Sequence, residues 1–184
     1  MDYYLDLRIQ QDPEFPETML LGALVSKLHR GLVTLDSRDI GISFPEHTQR
    51  LGGVLRIHST EERIHELQAV EWLKGMRDHV RVGSITRIPD GISHCVVRRR
   101  QFKTNPERLR RRRMARHGET YEQAYYRIPD KTGAPIQTPH IVVRSASTGQ
   151  AFSLFIEHQA PQPEAVEGTF TTYGLSHGAT VPWF

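Results

Sequence analysis

Ten cations and a single acid occupy residues 98–116: nine arginines and Lys103 stand against Glu107. Guanidinium groups at this density bind phosphate, because each offers a planar fork of donors that matches paired anionic oxygens. The segment carries +9 while the whole chain carries +3, which leaves −6 for everything else. Charge that polarised implies a polyanionic partner, and the phosphates of a nucleic acid would relieve the mutual repulsion in RLRRRRMAR. A solvated charge face is the alternative that the residues themselves leave open. Other chemistry is largely excluded. The lone cysteine, Cys95, permits no intramolecular disulfide and no multi-cysteine zinc site. The ten histidines show neither HExxH nor HxH spacing, so no metal and no cofactor is expected.

The arginines need a rigid carrier, and the local pattern predicts a helix over about 105–117. Thr104 and Glu107 have capping-box spacing, Pro106 suits a first turn, and Gly118 stands where a C-terminal cap belongs. Leu109 and Met114 lie about 140° apart on that helix, so they form no continuous apolar stripe. A second helix is expected over 120–127.

Upstream, Tyr3, Leu5, Leu7 and Ile9 alternate with Asp6 and Arg8 as in a half-buried strand. After Pro16, Leu20, Leu21, Leu24, Leu28 and Leu32 recur at helical spacing. Short strands are expected at 40–44 and 54–58. Ser59 and Glu62 then read as a capping box for a helix turning Ile64, Leu67, Val70 and Leu73 inward, and a fourth strand covers 80–88. This β-α-β-β-α-β order predicts an α+β chain with a ferredoxin-like domain over 1–92. The third strand lacks aromatic residues, which argues against base stacking on that sheet. After Pro89, Asp90 and Gly91 a second, RNA-binding α+β domain is expected over 93–184. It would hold a strand through Val96 and Val97, the arginine helix, strands at 140–144 and 151–157 joined by a turn at Ser147, Thr148 and Gly149, and a last strand beginning at 169–173. No apolar run reaches the ~18 residues of a membrane span and no signal peptide is read, so a cytoplasmic location is expected.

In this order and spacing, YYLDLRI with DPEFP, KLHRGLV, IGISFP, QFKTNPERLRRRRMARH, RSASTGQAFSLFI, YGLSHG and VPWF resemble the type I-F CRISPR repeat-processing endoribonucleases, the Csy branch of the Cas-six superfamily. The resemblance spans nearly the whole chain. It implies a metal-independent endoribonuclease that binds the CRISPR repeat hairpin and cuts at the 3′ base of its stem. The upstream 2′-hydroxyl would attack the scissile phosphate in line and leave a 2′,3′-cyclic phosphate. It also implies that the protein stays on the mature CRISPR RNA as a subunit of the type I-F surveillance complex, beside other Cas proteins. A non-catalytic RNA-hairpin-binding subunit is the alternative. The basic segment would also suit an acidic inhibitor of the anti-CRISPR kind.

Residue by residue, the resemblance makes His29 the catalytic histidine, and imidazole, with an unperturbed pKa near 6.5, suits proton transfer at neutral pH. Without it, His29 reads as an ordinary residue on an amphipathic helix. Ser145 matches the serine at the cleavage site, where a hydroxyl can accept from and donate to the ribose; no nucleophile-elbow signature surrounds it. Ser147, two residues on, faces the same side of a strand. Tyr173 matches the active-site tyrosine, cast as a hydrogen-bonding partner that orients His29, with a packing role as its alternative. Arg108, Arg111, Arg112 and Arg116 would grip stem phosphates, while Arg99 and Gln101 match a base-reading pair, the fork for guanine and the amide for adenine. Phe152 would stack beneath the closing base pair, leaving Phe155 to the core. The chain departs from the family pattern at Ala115, where arginine is expected, and at Arg113, where an apolar residue is.

Overall fold

The computed structural model describes residues 1–102, 106–129, 137–145 and 148–184. Helices and antiparallel sheets are mixed throughout. The first strand, β1 (Tyr3–Ile9), buries Leu5, Leu7 and Ile9 as its alternation requires, and Arg8 faces out. Helix α1 (Glu17–Thr34) follows, and then β2 (Gly41–Ser43), β3 (Val54–Ser59) and α2 (Glu61–Ala69). β1 pairs antiparallel with β3, Leu5 opposite Ile57 and Leu7 opposite Leu55, and β2 pairs antiparallel with the other edge of β3. The leucine stripe of α1 joins these strand residues in one core, and each fully buried leucine contributes about 1.5–3 kcal/mol.

Three local expectations are corrected. The cap of α2 is Thr60, whose side chain accepts from Arg63 N; Ser59 instead ends β3 and donates to the Asp39 carbonyl. The helix stops at Ala69, so Val70 caps its end and the buried Leu73 lies beyond it. The strand expected over 80–88 is two, β4 (Val80–Val82) and β5 (Thr86–Arg87), both paired with β1. Leu7 opposes Val82 but Tyr4 opposes Thr86, so one extra residue bulges between them, and Gly83 N donates to the Asp6 carbonyl there.

The strand expected through Val96 is likewise split. β6 (Ser93–Cys95) pairs with β10 (Val181–Trp183), while β7 (Val97–Arg100) pairs with β9 (Ala151–His158). Sheet order β7-β9-β8 is completed by β8 (His140–Arg144), which forms a hairpin with β9 as the sequence implied. Residues 169–173 form no strand. They enter a turn closed by Gly174 N donating to the Thr171 carbonyl, and the last strand is β10. Gly22 lets α1 reach β8: a Cβ there would lie 2.3 Å from the Val142 carbonyl oxygen.

The chain forms two compact units, residues 1–100 with 138–184, and residues 101–137. The smaller unit holds α3 (Pro106–His117) and α4 (Tyr121–Arg127). Gly118 N donates to the Met114 carbonyl at the end of α3, and Thr120 forms a capping box with Gln123 at the start of α4. Thr104, the expected cap of α3, lies outside the described residues. Among the described residues no helix is long and apolar enough to cross a membrane.

Candidate functional site

His29 sits on the second-to-last turn of α1, half-buried, and the loop between β9 and β10 brings two groups to it. The Tyr173 ring lies flat against the imidazole, with centroids 4.0 Å apart and planes 2° from parallel. Nδ1 of His29 is 2.9 Å from the Thr172 carbonyl oxygen. A carbonyl only accepts, so Nδ1 carries the hydrogen, and in the neutral ring Nε2 is the atom able to take up a proton. Tyr173 therefore fixes the ring by stacking, and the orienting hydrogen bond expected from it comes from the neighbouring backbone. No sequence signal marks a backbone carbonyl. Burial raises the Tyr173 phenol above its ordinary pKa, partly offset by the charge of Arg99.

Ser145 lies just past β8, in the turn of the β8–β9 hairpin. Its backbone N donates to the Gln150 carbonyl and its Oγ accepts from Thr148 N at 3.3 Å. Ser147 lies outside the described residues. On β9, Phe152 shares a face with the buried Leu154 and Ile156, and Phe155 points the other way onto His140, ring centroids 4.9 Å apart. The expected assignment of Phe155 to the core is thereby reversed. Phe152 is half-buried against that core, and the Arg99 guanidinium carbon stands 5.4 Å from its ring centre. Arg98 points to the opposite side of β7, where Glu157 binds it. Thus the larger unit holds two stacked pairs, His29 on Tyr173 and Arg99 over Phe152.

In the smaller unit the arginines of α3 divide by face. Arg110 is 2% exposed: its Nε donates to the Ile128 carbonyl at 2.8 Å, a terminal nitrogen reaches the Tyr121 hydroxyl at 3.3 Å, and its guanidinium lies 4.3 Å from the Tyr125 ring centre. Arg113 is paired with Glu119 at 2.6 Å. Opposite them, Arg108, Arg111, Arg112 and Arg116 project along an arc of about 140°, given ~100° per residue. All four are exposed, and Arg111 lies within 3.7 Å of Glu107. Gln101 is also exposed. The anchoring role of Arg110 was missed because a run of arginines looks alike in sequence until a partner helix selects one face.

Four other nucleophilic or basic side chains, Cys95, His58, His158 and Ser176, are sealed. Burial pushes Cys95 up to about 11, so its thiol stays protonated at neutral pH. Burial holds His58 and His158 down to about 3, which keeps both rings neutral. The string GLSHG at 174–178 has nucleophile-elbow spacing, yet Ser176 is 3% exposed and its Oγ is committed to the Ala179 carbonyl and Gly178 N. Among the described residues, no three metal-ligating side chains converge. A half-exposed imidazole with one nitrogen fixed and the other presented is equipped for proton transfer, and the arginine face of α3 for holding phosphates.

Residues 4–184 match the family described as "CRISPR-associated protein (Cas_Csy4)". The chain is similar to the CRISPR-associated endonuclease Cas6/Csy4 of Pseudomonas aeruginosa (strain UCBPP-PA14), 48% identical over 187 residues and covering 100% of each chain. It is 40% identical over 184 residues to the protein of the same name from Escherichia coli (strain UTI89 / UPEC), again covering 100% of each. Among solved structures, "An RAMP protein binding different RNA substrates" is similar at 14% identity and a TM-score of 0.35, with 99% of each chain covered, too distant a likeness to bear on the site.

Proposed function

The chain belongs to the Cas_Csy4 family of CRISPR-associated proteins, and from that premise we propose that it is a metal-independent endoribonuclease that binds the CRISPR repeat hairpin and cuts precursor RNA at the 3′ base of the stem. In this reading His29 acts through Nε2. It moves the proton that must leave the 2′-hydroxyl as that oxygen bonds to phosphorus, or that must reach the 5′-oxygen as its bond to phosphorus breaks; the products are a 2′,3′-cyclic phosphate and a 5′-hydroxyl. Ser145 hydrogen-bonds the reacting ribose, with Ser147 beside it, and Tyr173 holds the imidazole plane. Arg108, Arg111, Arg112 and Arg116 grip stem phosphates, Arg99 and Gln101 read bases, and Phe152 stacks on the closing pair.

The observation that carries the reading is the His29 imidazole, oriented on both its flat face and its Nδ1 edge while its other nitrogen stays available. The strand order β2-β3-β1-β4, built from a β-α-β-β-α-β run, supports a ferredoxin-like fold for the first sheet. Phosphate contacts that cleavage leaves intact would keep the product bound, which fits a lasting place in the type I-F surveillance complex beside other Cas proteins. The same basic face would receive an acidic anti-CRISPR inhibitor.

The test is a pair of variants. His29→Ala should abolish cleavage of the cognate repeat RNA under single-turnover conditions while hairpin affinity changes little, and Arg112→Ala should weaken binding with a flatter salt dependence. Wild-type cleavage by His29→Ala would refute the proposed chemistry. A wild-type protein that bound the hairpin without cutting it would leave the non-catalytic subunit.

A further inference from the structure

We propose that Thr171 is a positioning residue for the cleavage reaction: its side chain shapes the turn that sets the Thr172 carbonyl and the Tyr173 ring against His29. The proposal rests on the reading of His29 as the proton-transfer group and goes one shell further out.

Both groups that orient His29 belong to consecutive residues of one short turn, so its geometry fixes the imidazole twice over. Within the turn Thr171 Oγ1 accepts from Tyr173 N at 3.3 Å and from Leu175 N at 3.4 Å. The Thr171 backbone closes the same loop, its N donating to the Leu175 carbonyl at 2.8 Å and its carbonyl accepting from Gly174 N at 2.8 Å. A hydroxyl that bonds the backbone two residues on is the device by which Ser and Thr stabilise a turn locally.

The body of the protein pins this turn around its rim. Phe170 N donates to the Arg38 carbonyl, Ile42 N donates to the Gly174 carbonyl, and Ser176 N donates to the Val97 carbonyl, at 2.9, 2.9 and 3.0 Å. Gly174 has φ +69°, and a Cβ there would come within 2.7 Å of Ile42 Cγ2. The anchors secure residues 170, 174 and 176; the internal bonds of Thr171 govern what lies between, namely Thr172 and Tyr173. Thr171 is itself exposed, so its hydroxyl can be removed without opening a cavity.

Removing the hydroxyl deprives two amides of an acceptor. Both bonds are long, and we expect roughly tenfold slower cleavage, equivalent to about one net hydrogen bond. The measurement is the single-turnover cleavage rate of cognate repeat RNA at saturating protein, for full-length wild type, Thr171→Val, Thr171→Ser, Gly174→Ala and His29→Ala. Hairpin affinity is measured in parallel on the same RNA carrying a 2′-deoxy at the scissile position. The expected result is a slow Thr171→Val with affinity little changed, wild-type cleavage restored in Thr171→Ser, and a larger loss in Gly174→Ala. Wild-type cleavage by Thr171→Val, or a Thr171→Ser as slow as Thr171→Val, would overturn the proposal while His29→Ala remained inactive. An active His29→Ala would overturn the proposal too, by removing the reading beneath it.

Discussion

Arg110 should be the most sensitive arginine of α3 although it faces away from solvent. Arg110→Lys keeps the charge but removes the fork that reaches Ile128, Tyr121 and Glu107 at once. A hydrogen bond from a charged donor is worth about 1.5–3 kcal/mol. A desolvated cation over an aromatic ring adds about 2 kcal/mol, and here Tyr125 lies 4.3 Å away. With both the fork and its placement over the ring lost, the expected loss is about 3–5 kcal/mol. At roughly 0.05–0.15 kcal/mol per residue, a unit spanning residues 101–137 holds only about 2–6 kcal/mol. The substitution should melt most of the α3–α4 hairpin. Amide hydrogen exchange would show α3 losing protection, and repeat-hairpin affinity would fall although every outward arginine remains. Arg112→Ala is the control: α3 protection stays, and the salt dependence of binding falls by about one unit of slope. Retention of both α3 protection and hairpin affinity in Arg110→Lys would refute the assignment of Arg110 as the anchor.

Other consequences follow from the same contacts. Tyr173→Phe preserves the stacked face and should keep most of the cleavage rate, whereas Tyr173→Ala should lose it; a Tyr173→Phe as inactive as Tyr173→Ala in single-turnover assays would mean that the hydroxyl, not the ring, is needed. His58 and His158 are held neutral at about 3 in the folded state, against about 6.5 unfolded. Their folded pKa values are depressed, so the unfolded chain binds the extra protons and stability is lost as pH falls from 6.5 towards 3. The cost is about 2 kcal/mol for each at pH 5, and urea midpoints that matched at pH 7 and pH 5 would contradict it. Gly22→Ala puts a Cβ 2.3 Å from the Val142 carbonyl oxygen. It should cost about 1–3 kcal/mol of stability and slow cleavage by displacing α1, which carries His29, from β8, which leads to Ser145; an unchanged melting temperature would argue against that close approach.

The elements whose apolar residues repeat cleanly were legible in the sequence. Leu5, Leu7 and Ile9 mark β1, and the leucines of α1 mark its buried face. What escaped depends on partners distant in the chain. Ser59 and Thr60 offer the same hydroxyl, and only the register of β3 against β1 assigns one to the strand and the other to the cap. Both phenylalanines of AFSLFI are apolar, and the pairing of β9 between β7 and β8 decides that Phe152 sides with Leu154 and Ile156. The apolar and β-branched residues near 169–173 read as a strand, but their backbone is taken up by the turn that delivers Tyr173. His29 was readable as a candidate only through its motif, because the Thr172 carbonyl that fixes its tautomer is 143 residues away and leaves no mark on side-chain identity.

The central claim is that the RNA's own 2′-hydroxyl attacks, with protein side chains alone moving the protons. The most direct measurement is single-turnover cleavage of the cognate repeat RNA in EDTA, beside the same RNA with one 2′-deoxy at the scissile position. Cutting of the first to a 2′,3′-cyclic phosphate and full protection of the second is the predicted result. Cleavage of the deoxy substrate, or activity that vanished in EDTA and returned with a divalent ion, would contradict it.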